Sequence, residues 1–240
     1  MPSSLGGLKL LKPNFRGHAG SQDRGRIGVA EWCADLAALL DAEGCERAVV
    51  GGHCLGANIA LHFAARYPQR TAGLVLIEPM PHHALIGRMK ALFAFRFPLR
   101  IISEIAILLN RIGIKRRHIE PMDLEKWDQA VAGGKVALGT FASPFSDLRH
   151  TPSAAYFQGV LAVFEPLPAP AAIRCPALVL LSRNSKMTDA ARTRAAMQAL
   201  SEAEILELPA EHWIPTEQPE AMRAAIEDWL ARRRAPGTAA

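Results

Sequence analysis

The chain has 240 residues, half of them apolar and 21% charged. That balance belongs to a folded globular chain and excludes disorder, collagen and coiled coil for its bulk. The length allows one domain, or one domain with a large insertion. Lys and Arg number 28 against 23 Asp and Glu, a formal net charge of +5, too mild an excess to argue for nucleic acid as a partner.

The first eight residues lack the basic block and apolar core of a secretory signal. Leu8 to Leu11, followed by Pro13, reads as a short strand entering a loop. Val29, Trp32, Cys33, Leu36, Leu39 and Leu40 recur at helical spacing, and Gly44 stops that helix. Ala48-Val49-Val50 predicts a brief buried strand ended by Gly51-Gly52. Leu55, Ile59, Ala60, Phe63 and Ala64 form the next helical face, closed by Pro68. Leu74 to Ile77 is a further strand, with Glu78-Pro79 at its end. Residues 80 to 174 then show no strand alternation, only helix-like patches at Leu92–Phe97 and Ile101–Leu109. The earlier rhythm resumes with a strand at Ala177–Leu181, a helix at Thr188–Leu200, a strand at Ile205–Leu208 and a helix at Pro219–Leu230. Short apolar strands alternating with helices predict an α/β fold with a mostly parallel sheet. The middle segment interrupts it as a helical cap, so the core is expected to comprise 1–79 and 175–240 and the cap 80–174.

The longest run without Asp, Glu, Lys or Arg, Ala48 to Ala65, contains Gly51, Gly52, His53, Gly56, Asn58 and His62, so no membrane span is expected. Cys33, Cys45, Cys54 and Cys175 form no CxxC or CxxH pair, which argues against zinc and for reduced thiols in a cytoplasmic protein. No metal, nucleotide or flavin motif is present, and no cofactor is expected. The basic end Arg232-Arg233-Arg234 reads as a solvated tail.

The segment that carries chemistry is Gly52-His53-Cys54-Leu55-Gly56, between a predicted strand and a predicted helix. Glycines permit a sharp turn there, which thrusts the middle side chain up at the helix start. The helix N-terminus favours a thiolate at Cys54, and the Leu55 N–H is placed to meet a developing oxyanion. The plainer alternative is a tight turn holding a small buried thiol. His212, in the loop between the last strand and last helix, is the candidate base. It would take the thiol proton and return it to a leaving group. His53 is expected to pack within the turn and His18 to be structural.

Three segments together make the chain resemble the α/β-hydrolase superfamily, in a variant with cysteine at the nucleophile position. Pro13-Asn14-Phe15-Arg16-Gly17-His18-Ala19-Gly20-Ser21 is similar to the loop after that family's fourth strand. Cys54 sits at the nucleophile position. Leu208 to Trp213, with Glu217-Gln218-Pro219-Glu220, resembles the ending around the family's catalytic histidine. The resemblance implies an acid after the strand Ala177–Leu181, but Ser185 stands where Asp is expected. Glu78, at the end of the strand after the nucleophile helix, where some relatives place their acid, is the preferred substitute. Asp189, at a helix start where an acid commonly serves the helix dipole, is the alternative, and no acid is the third possibility.

The resemblance also implies three earlier strands and a loop giving a second oxyanion N–H, none of which has a counterpart here. The expectation is that the recorded start lies downstream of the true one. The alternatives are that the fourth strand moves across to pair with the fifth, or that a partner chain fills the slot.

Between Arg88 and Arg117 eight basic residues face Glu104 alone, interleaved with Leu, Ile and Phe. Such a stretch either packs its apolar face on the core, covers an acyl chain, or lies on an anionic membrane. Together these readings imply hydrolysis of a carboxylic ester or thioester of an apolar acyl substrate through a Cys54 acyl-enzyme. An acyltransferase using the same nucleophile, or a non-catalytic ligand-binding relative, are the alternatives. The expected partner is a small acyl molecule, and the residues do not speak to oligomeric state.

Overall fold

The computed structural model describes residues 8–114, apart from 19, 20, 22 and 24, and residues 144–234. Four parallel strands form one sheet in chain order: β1 (Ala48–His53), β2 (Thr71–Ile77), β3 (Ala177–Ser182) and β4 (Ala203–Leu208). α1 (Val29–Ala42) precedes β1, and α2 (Leu55–Arg66) joins β1 to β2. Between β2 and β3 the described elements are helical: α3 (Gly87–Ala94), α4 (Arg96–Arg111), α5 (Pro144–His150) and α6 (Ser153–Val163), besides short 3-10 turns. α7 (Ala190–Gln198) joins β3 to β4, and α8 (Ile214–Glu217) and α9 (Pro219–Arg234) close the described chain.

Every residue of β3 is buried, because helices cover both faces of the strand. Ala177, Val179 and Leu181 turn toward α2 and α7 and meet Ala60, Leu61, Ala64 and Met197. Leu178 and Leu180 turn the other way, onto Ile214, Met222 and Trp229 of α8 and α9. The two-residue period of a strand thus divides one apolar run between two cores. Each of these large side chains contributes roughly 1.5–3 kcal/mol on burial. α1 packs on α2 through Trp32, Cys33, Ile59 and Phe63.

The structure departs from the sequence expectations at several places. β1 is not a buried strand, since Val49 is exposed, and Arg232 and Arg233 do not form a loose tail but lie within α9, paired with Glu204, Asp228 and Glu202. Leu8–Leu11 contributes no strand to the sheet: Leu8 makes an isolated bridge and 9–11 are irregular. The run is four residues long, Pro13 brings no N–H, and Lys9 is drawn into an ion pair with Glu43 at 2.6 Å. Gly51 and Gly52 do not end β1 but lie within it. A Cβ on Gly51 would stand 2.9 Å from the Val75 carbonyl oxygen, and one on Gly52 2.4 Å from the Gly56 carbonyl carbon. Only glycine lets β1 pass so close to both neighbours. The predicted patch Leu92–Phe97 is divided at Phe95, which caps α3 and starts α4.

Candidate active site

The parallel register aligns the C-terminal ends of the first three strands. His53 pairs with Ile77, the Cys54 N–H donates to Ile77 O at 2.9 Å, and the Glu78 N–H donates to Leu180 O at 2.9 Å. The residues that follow β1 and β2 are therefore neighbours across the sheet, at the edge where parallel α/β proteins bind their ligands. Cys54 has φ 55° and ψ −116°, and Glu78 has φ 50°. Among the described residues these are the two non-glycine residues in the left-handed region. Such backbone costs on the order of 1–3 kcal/mol each and persists where its surroundings hold it.

The Cys54 turn is held from three sides. Gly52 admits the start of α2 at close range. The amide of Asn58 bonds the Met80 backbone twice, donating to its carbonyl at 3.1 Å and accepting from its N–H at 2.9 Å. That buried pair fixes Met80, whose sulfur lies 2.9 Å from the Cys54 sulfur. Cys54 is half-buried against an apolar cluster of Met80, Leu85, Val163 and Phe164, which α3 and α6 help to wall.

His212 follows β4 in a loop tied down by one carboxylate. Glu217 accepts N–H bonds from Glu211 at 2.8 Å, His212 at 3.2 Å and Trp213 at 2.7 Å. His53 adds a fourth tie, its Nε2–H donating to the His212 carbonyl at 2.9 Å, with the two rings 4.9 Å apart. Burial, and then the neighbouring His212, push His53 down to about 4, so it is a neutral donor at pH 7.

The structure brings Cys54, His212 and Glu78 together. The His212 ring donates from Nδ1 to Glu78 Oε2 at 3.1 Å, and Cys54 is close enough to the ring to act on it electrostatically. Glu78 is buried, and its second oxygen accepts from the Ser182 N–H. Burial opposes charge on His212, but the neighbouring Cys54 and Glu78 outweigh it and raise the imidazole to about 9. Ser185 is not idle: its hydroxyl donates to Glu78 Oε2 at 3.0 Å. Asp189 is not brought to the histidine. It caps α7, its Oδ1 accepting from the Arg192 N–H at 2.9 Å. Leu55 opens α2 directly after Cys54. Asn58 and Glu217 were not singled out as functional from sequence. The signals were a polar residue on a mostly apolar helix face and a Glu five residues after the histidine.

Among the described residues no group of three or more His, Cys, Asp or Glu is arranged to hold a metal ion. No helix among them is long and apolar enough to cross a membrane.

A parallel sheet covered on both faces by helices, with a sharp turn after one strand and a buried histidine–carboxylate pair after others, defines an α/β-hydrolase-type architecture. Residues 4–225 match the alpha/beta hydrolase family, and the chain belongs to that family. It is 38% identical over 77 residues to the lipase LipV of Mycobacterium tuberculosis, a stretch covering 30% of this chain and 28% of LipV. It is 29% identical over 216 residues to a protein of Caulobacter sp. (strain K31) named as a carbamate hydrolase, RutD, covering 85% of this chain and 72% of that one. Among solved structures, an esterase from Thermogutta terrifontis superposes with a TM-score of 0.62 at 23% identity, covering 91% of this chain and 78% of the esterase. A hydrolase from Pseudomonas aeruginosa superposes with a TM-score of 0.59 at 21% identity, covering 90% and 77%. These structural likenesses establish the fold.

Proposed function

We propose that this hydrolase-family chain cleaves a carboxylic ester or thioester of an apolar acyl group through an acyl-enzyme on Cys54. The observation that carries the reading is the buried His212–Glu78 pair, 3.1 Å apart, set beside the Cys54 turn with the thiol acting on the imidazole. In this reading the proton of the Cys54 thiol rests on His212, which is charged at neutral pH, and the sulfur attacks the carbonyl carbon. The imidazolium then protonates the departing alcohol or thiol as the bond to it breaks. Water, giving its proton to His212, cleaves the resulting thioester and frees the acid and the thiol. The Leu55 N–H is assigned to the oxyanion, and Glu78 to orienting the ring and supporting its charge. The cluster of Met80, Leu85, Val163 and Phe164 beside the sulfur supports an apolar acyl group. The same reading takes 1–79 and 175–240 as the core and 80–174 as a cap over it. Four free cysteines support a reducing, cytoplasmic setting.

The test is turnover of a chromogenic acyl ester and an acyl thioester, with mass-spectrometric trapping of acylated Cys54. Burial pushes Cys33 up to about 11 and raises Cys175, so both should resist alkylation at neutral pH. A Cys45→Ser background removes the remaining half-buried thiol. One equivalent of iodoacetamide should then label Cys54 and abolish turnover, and His212→Ala should slow that labelling. Undiminished turnover in Cys54→Ala excludes the reading. Transfer of the acyl group to an added alcohol in preference to water would make the enzyme an acyltransferase.

A further inference from the structure

α4 turns the opposite face to the body from the one an ordinary amphipathic helix would use. Ser103 and Ile107 are buried, and the helix packs on α6. Asn110 Nδ2 donates to the Asp23 carbonyl at 3.2 Å, and Glu104 pairs with Arg26 at 2.5 Å. On the far side Phe97 is 66% exposed, Ile101 64%, Ile105 53%, Leu108 59% and Ile112 62%. At about 100° per residue, positions 101, 105, 108 and 112 form one stripe opposite 103 and 107. The sequence expectation that such a stretch packs its apolar face on the core does not hold for α4.

The surroundings of the stripe are basic. Arg88, Lys90, Arg96, Arg100 and Arg111 are all exposed. The single acid of α3 and α4, Glu104, is already engaged by Arg26. An open apolar groove of about 450 Å³ runs between the two helices, lined chiefly by Leu92, Phe95, Pro98, Leu99 and Ile102, with Arg88 at its rim.

We infer that the α3–α4 face seats the protein on an anionic lipid bilayer, with the α4 stripe among the acyl chains and the arginines and lysine at the headgroups. Isolated exposed apolar residues need no explanation, but a continuous stripe of this length does. Charge decides among its occupants. A second copy related by a two-fold would set this basic rim against itself, which like charges oppose. Aliphatic and Phe side chains on one face with cations beside them match the composition of helices that lie in a membrane interface. The inference is independent of which residue carries the acyl group.

The experiment is co-sedimentation of the full chain with vesicles of phosphatidylcholine alone and of phosphatidylcholine mixed with phosphatidylglycerol. The expected result is binding at least about ten-fold tighter to the mixed vesicles, weakened by added salt. This comparison uses the unaltered chain. Ile101→Asn with Ile105→Asn, both at exposed positions, should abolish binding while the thermal midpoint holds. Arg100→Gln with Arg111→Gln should remove the preference for the anionic vesicle. No binding to either vesicle, equal binding to both, or binding that survives the Ile101/Ile105 pair overturns the inference. So does equal retention on polyglutamate beads, which offer charge without hydrocarbon. A dimer in sedimentation velocity that the Ile101/Ile105 pair dissociates would assign the face to a second copy instead.

Discussion

Nδ1 of His212 lies 3.1 Å from Oε2 of Glu78, a contact between residues 134 positions apart and both almost fully buried. Glu78 follows the second strand of the sheet and His212 the fourth, so the contact exists only once three parallel strands have aligned. The site is therefore a product of the sheet register rather than of any one loop.

Replacing Glu78 tests that contact most directly. Glu78→Gln removes one of the causes that raise His212, so the imidazole should titrate below the value of about 9 it has in the parent. Because the folded value lies above the ordinary value of 6.5, the charged ring stabilises the fold fully below pH 6.5. That contribution disappears as pH rises through about 9. The parent's thermal midpoint should fall across that window, and less so in Glu78→Gln. The rate with esters whose leaving group needs a proton should drop above pH 9 in the parent, and at lower pH in the variant. Its kcat/KM at neutral pH should be lower by about 10²-fold. A pH series of rate and of imidazole NMR shifts measures both.

Ser185 is expected to act through Glu78. Ser185→Ala leaves the carboxylate its bonds from Ser182 and His212, so the loss should be about 1 kcal/mol, roughly a five-fold fall in kcat/KM. Ser185→Asp places a second carboxylate beside Glu78 and should be more damaging. In a Glu78→Gln background the same Ser185→Asp change should restore part of the lost activity. Steady-state kinetics on the parent, Glu78→Gln, Ser185→Asp and the double variant form a cycle that isolates the coupling.

The glycines around Cys54 should behave very differently from each other. A Cβ on Gly52 meets Gly56 backbone at 2.4 Å, whereas one on Gly56 meets nothing within 4 Å. Gly52→Ala should therefore displace the first turn of α2, costing about 3 kcal/mol and most of the activity. Gly56→Ala should hold or gain stability, by up to about 1 kcal/mol from helix propensity. Urea denaturation of the two variants separates them.

Acid should weaken the fold through two histidines the chemistry does not titrate. Burial, then His212, lowers His53 to about 4, and burial, then Arg66, lowers His62 to about 4. Both are neutral in the native state, so their contribution is complete above pH 6.5 and is lost as pH falls toward 4. For His62 the loss is at most about 3 kcal/mol at full titration. His62→Leu should flatten that limb, and it also removes a buried Nε2 without a hydrogen-bond partner. Thermal midpoints between pH 7 and 4 are the measurement.

Most of the sheet was legible in the sequence because the apolar runs at β1, β2 and β3 are short, branched and bounded by Gly, Pro or charge. The glycine-flanked turn and the loop around His212 could be read for the same reason, since their signals are local. The sequence favours Glu78 over Asp189 as the acid, but only weakly. Both follow or precede an element at a plausible place, and only register decides which one meets the imidazole. The positioning roles of Asn58 and Glu217 were not legible: Asn58 acts on the backbone of Met80, 22 residues away, and Glu217 by gathering three N–H groups of its own loop, which its type and spacing alone do not announce. The direction of the α4 stripe was hidden too. Periodicity reveals that a helix has an oily side, but not whether that side looks inward.

Cys54 occupies a backbone conformation that glycine adopts freely and that other residues resist. Putting glycine there should relax the turn and raise the melting temperature slightly, by an amount corresponding to about 1 kcal/mol, while leaving an inert protein. A cysteine at that position makes the chain less durable than its simplest substitute, and the acyl chemistry proposed for the sulfur is what would compensate for the difference.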